Sequence, residues 1–71
     1  VLRRMGYVDV ALECFNQSLD IAPNQAEVYF LRGQTLVEVD RNSAANADLV
    51  RTLELDPGHA EAARLLHQIG A

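Results

Sequence analysis

The chain has 71 residues, with ten acidic side chains against six arginines and no lysine, for a formal net charge of −4. An acidic surface repels phosphate backbones and anionic lipids, which argues against nucleic-acid and membrane partners. The longest wholly apolar run, Val28–Leu31, falls far short of the roughly 20 residues that span a bilayer. A domain this small buries only about 60% of its unfolded surface. Cys14 is the only cysteine, so no intrachain disulfide can help. Two histidines and Cys14 lie scattered on different segments, so neither a metal site nor a cofactor is expected. Regular helix packing, further repeats in a longer parent, or self-association remain as sources of stability. The start carries Arg3 and Arg4 with no apolar stretch behind them, so no signal peptide is expected. The chain opens on Val1, which fits a piece cut from a longer protein; a soluble, cytoplasmic setting is the expectation.

Taken in chain order, the spacing predicts a helical stub over Val1–Met5 and a break at Gly6. A helix over 8–21 follows, with Ala11, Phe15, Ser18 and Leu19 as its stripe. Pro23 disfavours helix at the residue before it, so this helix ends near Ile21, and Asn24-Gln25 make the turn. The next helix, over 25–39, carries Val28, Tyr29, Gly33, Leu36 and Val39 on one face. Asp40-Arg41-Asn42-Ser43 then punctuate, with Asn or Ser expected as the N-cap of a helix over 43–55. Its stripe is Ala45, Leu49, Thr52 and Leu53. Pro57 and Gly58-His59 end it, and a last helix covers 59–69. Links this short force neighbouring helices to be antiparallel. No run alternates as a strand would.

A shift of 34 residues, which takes Pro23 onto Pro57, superposes much of the chain on itself. It sets Ala11 on Ala45, Phe15 on Leu49, Ser18 on Thr52, Leu19 on Leu53 and Ile21 on Leu55. Past the prolines it sets Ala26 on Ala60, Glu27 on Glu61 and Leu31 on Leu65. The unit Ala26-Glu-Val-Tyr-Phe-Leu-Arg-Gly33, followed by Leu36, Ala45, Leu49 and Leu53-Glu-Leu-Asp-Pro57, resembles the tetratricopeptide repeat. Gly33 and Ala45 match the small residues at which that family's paired helices approach closely, and Tyr29 matches its early aromatic. The resemblance implies an all-α fold of antiparallel helix-turn-helix repeats, stacked as a short right-handed α-solenoid. Residues 1–23 would be the end of one repeat, 26–59 a complete repeat, and 60–71 the first helix of a third. Some positions depart from the family. Arg32 stands where Leu is usual, Ser18 and Thr52 where Ala is usual, and Ala63 and His67 replace the aromatic and the glycine in the last helix.

No nucleophile, oxyanion site, glycine-rich phosphate loop or paired-cysteine motif is present, so no catalytic residue is expected. His59 lies near Asp56 and Glu61, but Asp56-Pro-Gly-His59 reads as an inter-repeat turn. His67 reads as a half-buried packing residue, and Cys14 as a small, partly buried hydrophobe. The resemblance implies instead a concave wall that grips a partner. Carried over residue by residue, that wall comprises Glu27, Phe30, Leu31, Gln34, Val37 and Glu38, and then Glu61, Arg64, Leu65 and Gln68. Phe30 and Leu31 read equally well as extra core or as an exposed apolar contact rimmed by acids. Chaperone-binding members of the family clamp a carboxylate with basic side chains. Phe30, Gln34, Glu61 and Leu65 stand at those positions here, so an apolar or basic peptide fits better. Two alternatives accompany this reading. One is a homodimer that covers Leu12, Phe15 and Leu19; the other is a docking segment of an enzyme whose catalytic domain lies outside the chain.

Overall fold

The computed structural model describes residues 2–70, with side-chain surroundings from Tyr7 onward. Four helices follow one another: α1 (Leu2–Ile21), α2 (Ala26–Glu38), α3 (Asn42–Leu55) and α4 (Ala60–Gly70). α2 packs against α3 most extensively, and α1 and α4 flank that hairpin. Among the described residues the backbones of α1 and α3 make no close approach to each other. The result is a slab of 34 × 32 × 16 Å. No strand is present among the described residues, and none of the helices is long and apolar enough to cross a membrane.

The expected break at Gly6 is absent, and one helix runs through it. A glycine inside a helix costs only about 0.5–1 kcal/mol relative to alanine. Nothing nearby adds a proline or a left-handed residue that would stop the helix. α1 does end at Ile21, before Pro23. There the Gln25 amide donates to the carbonyls of Ser18 (3.1 Å) and Ala22 (2.8 Å), satisfying groups that the helix end leaves without partners.

α2 ends in a Schellman arrangement: Arg41 N–H donates to the Leu36 carbonyl (2.9 Å) and Asp40 N–H to that of Val37 (3.1 Å). Asp40 carries the left-handed φ of 60° that this motif requires. The expected cap of α3 needs correction. The N-cap is Arg41, with no side-chain hydrogen bond, and Asn42 and Ser43 fall inside the first turn. The turn after α3 follows the sequence. Pro57 and Gly58 occupy its centre, His59 N–H donates to the Asp56 carbonyl (3.1 Å), and Asp56 Oδ1 accepts from Gly58 N–H (3.3 Å).

The core centres on Leu49, which is fully buried along with Ala45, Thr52 and Ala62. Phe30 joins Leu49 and Ala62 there, and Leu31, Leu53, Leu65, Leu66 and Ile69 pack around them. Gly33 marks the close approach of α2 to α3. A Cβ added to it would lie 3.2 Å from Leu49 Cγ and Cδ2 and 3.3 Å from Asp48 Cβ. The Thr52 hydroxyl, buried where alanine is usual, donates to the Asp48 carbonyl at 2.9 Å.

Arg32 explains its own departure from the expected leucine. Its Nε and Nη2 donate to the two Asp48 carboxylate oxygens (2.8 and 2.7 Å), and Nη1 donates to Asn16 Oδ1 (2.7 Å). One guanidinium therefore ties α2 to α3 by a bidentate pair and to α1 by a third bond. The hydrogen bond to Asp48 raises the pKa of Arg32 above its ordinary value, against the opposing effect of burial. Tyr29 lies beneath two cations, with the Arg32 and Arg51 guanidinium carbons 5.5 and 5.9 Å from its ring centroid.

Candidate protein-binding face

α2 and α4 stand side by side, and their shared face carries a shallow groove of about 160 Å³. Phe30 and Gln34 from α2 line it, with Glu61, Arg64, Leu65 and Gln68 from α4. All six belong to the wall expected from the sequence. The spacing explains their meeting. Residues at i, i+3 or i+4, and i+7 share one helix face. Gln34 and Gln68 are 34-residue counterparts, so stacking like helices sets one amide beside the other. Glu61, Arg64 and Gln68 are exposed along α4, and Leu65 is half-buried between them and the core.

The remaining four expected residues do not line the groove. Glu27 is exposed at the start of α2, Glu38 is exposed at its end, and Leu31 and Val37 are half-buried. Leu31 packs against the core cluster. Phe30 is 5% exposed, so it is chiefly core and gives the groove only an edge. Of the two readings left open for Phe30, the structure favours core.

His59 does not line the groove but packs against Phe30, which does. Its Nδ1 accepts from the Ala62 N–H (3.1 Å), which makes it the side-chain N-cap of α4. An accepting Nδ1 carries a lone pair, so the ring proton sits on Nε2 and is donated to Glu27 Oε1 at 3.2 Å. The ring also packs on Phe30, with centroids 4.6 Å apart. The sequence places His59 in a turn but does not reveal this role. The available signal was its position three residues before a helix amide. Two other readings need correction: Cys14 and His67 are both exposed on their helices, not partly buried.

A larger cleft, of about 320 Å³, lies between α1 and α3 over Arg32 and Leu36, away from the expected wall. Leu12, Ala44 and Ala47 give it apolar sides, and the Arg32–Asp48–Asn16 bonds occupy its polar end. Among the described residues no cluster of three His, Cys, Asp or Glu side chains could hold a metal ion.

A search of curated proteins and one of solved structures each returned no match. A family model described as tetratricopeptide repeat matches residues 4–70. That family is typically a non-catalytic module for protein–protein interaction. Nearly the whole chain is matched and its helices pair as the motif requires, so this protein belongs to the tetratricopeptide repeat family.

Proposed function

We propose that the chain binds an extended peptide or a helix of a partner protein along the face between α2 and α4. The observation that carries this reading is the groove itself, built from side chains one repeat apart. Gln34 and Gln68 each offer a donor and an acceptor, which suits the main chain of a peptide in any sequence. Leu65 and the edge of Phe30 offer an apolar anchor point. Glu61 in the groove and Glu27 beyond it favour a basic side chain on the ligand, while Arg64 leaves room for one acidic contact. A partner with an apolar or basic face fits this set, and nucleic acid fits it poorly. The wider wall, with Leu31, Val37 and Glu38, would engage only a longer ligand.

The test is a selection from a random peptide library on the chain, followed by titration against variants at exposed positions. Gln34→Ala with Gln68→Ala, and Arg64→Glu alone, should leave the fold intact because these side chains are exposed. Selected peptides should be rich in apolar and basic residues, and the double alanine variant should bind them roughly 10-fold more weakly, as expected for two lost hydrogen bonds. Peptides that bind all three forms equally well would remove the groove from consideration.

A second reading, association with another copy through α1, is favoured by one observation. Among the described residues, Tyr7, Val10 and Ile21 make up three of the four large hydrophobics that stand exposed, and all three are on α1.

A further inference from the structure

Among the described residues, only His59 joins α4 to α2 through hydrogen bonds on both sides of one ring. Its 34-residue counterpart behaves differently. The Gln25 amide turns back onto Ser18 and Ala22, and α2 has no side-chain cap. The single side-chain cap at the start of α4 therefore depends on an imidazole nitrogen keeping its lone pair. We propose that His59 is a positioning residue for the groove. Its neutral, Nε2-protonated form holds the first turn of α4 beside α2, and uptake of a proton releases that turn.

The chemistry follows from the two states of the ring. An imidazolium carries N–H on both nitrogens and accepts nothing, so the Ala62 amide would face a donor. A positive charge would also sit at the positive end of the α4 dipole. The charged and titratable groups around the ring are Glu27 from α2, Asp56 from the turn, and Glu61 in the first turn of α4. Glu27 would hold a protonated ring more firmly, but its side chain is 67% exposed, so solvent screens that gain. The Asp56 carboxylate is engaged by the Gly58 amide, and Glu61 is exposed on the rim of the groove. Loss of the cap is not screened, because the ring is only 10% exposed. Glu61 and Phe30 both line the groove, so release of this turn alters its acidic end. That last consequence rests on the binding reading above, whereas release of the turn does not.

The experiment uses the 71-residue chain without any peptide, so it stands or falls independently of the groove. Ring nitrogen NMR at pH 8 should find the His59 proton on Nε2. Between pH 8 and an acidic pH at which the same NMR signals show the ring carrying both protons, Ala62 amide protection should drop roughly 5-fold, corrected for intrinsic exchange and as expected for one lost N-cap. His59→Asn supplies an oxygen acceptor at every pH and should keep Ala62 protected throughout. Glu27→Gln removes the pairing and keeps the cap, so it should retain the pH response. Three results would overturn the proposal: a proton on Nδ1 at pH 8, equal loss of protection in His59→Asn, or no loss in the unaltered chain. A response abolished by Glu27→Gln would also overturn it, by assigning the effect to the ion pair.

Discussion

Gly33 is where a single methyl group decides how closely two helices can pack. Added there, it would press on the Leu49 side chain, which is fully buried, and on the Cβ of Asp48. Gly33→Ala gains helix propensity worth nearly 1 kcal/mol. Overpacking a tight core costs about 1–3 kcal/mol, so it outweighs that gain. A net loss of about 1 kcal/mol is expected in urea denaturation, and an unchanged or more stable variant would mean that the close approach is not constraining.

The neighbouring pair Arg32–Asp48 works by a different balance. Asp48 has an 8% exposed side chain and Arg32 a 24% exposed one, so desolvation costs are real. Asp48→Ala leaves the guanidinium without its bidentate partner and should cost about 2–3 kcal/mol, below the range for a fully buried pair because Arg32 still reaches water. Adding Arg32→Leu should recover most of that loss, since an apolar pair of similar volume also packs. A double variant as unstable as Asp48→Ala alone would contradict this.

The two residue-scale features differ in how far the sequence revealed them. Gly33 was visible because its 34-residue setting matches a known close approach. Arg32 was visible only as an exception, since nothing local to it names Asp48. The two are brought together by the α2–α3 crossing that Gly33 permits. The role of His59 was hidden for a similar reason. Its turn is written in Asp56-Pro-Gly, but its ring partners come from α2 and from the helix it caps.

At the scale of elements, proline and periodicity placed the helix ends well. α1 stops before Pro23 and α3 before Pro57, each within a residue of expectation. Glycine was the weaker signal. Gly6 suggests a break, yet α1 passes through it, because one glycine lacks the steric veto of a proline. The link between α2 and α3 was legible as a polar cluster, but its geometry was not. The Schellman turn puts Asp40 at a φ of 60°, where glycine is the usual occupant. Asp40→Gly should therefore raise stability by about 0.5–1 kcal/mol, the strain relieved outweighing the extra freedom of the unfolded chain. Chemical denaturation should show the gain as a higher midpoint at an unchanged slope. A lower midpoint would mean that the Asp40 side chain contributes more than its backbone costs.

At the scale of the whole molecule, α1 and α3 correspond at the 34-residue shift, yet they are covered differently. Ala45, Leu49 and Thr52 are fully buried beneath α2, whereas their counterparts Ala11, Phe15 and Ser18 are only half-buried. Leu55 is half-buried, and its counterpart Ile21 is 86% exposed. The contrast is confined to one face. Leu19, on the side of α1 toward α2, is buried, and Val8 with it, so the expected exposure of Leu12, Phe15 and Leu19 is only partial. Tyr7, Cys14 and Ile21 recur at seven-residue spacing along the open side, with Val10 beside them, in the pattern of a helix-pairing seam. Burying two such side chains is worth about 3–6 kcal/mol, comparable to the whole stability of a domain this small. The chain should therefore form dimers at high micromolar concentration in sedimentation equilibrium. Tyr7→Lys with Ile21→Lys should abolish them while leaving helix content unchanged, because both residues are already exposed in the single chain. Cys14 provides an independent probe at the centre of the seam, where a short bifunctional thiol reagent should join two copies in the unaltered chain and fail in the lysine variant. A chain that stays monomeric at every concentration, or a lysine variant that still dimerises, would show that the open face of α1 pairs with nothing of its own kind.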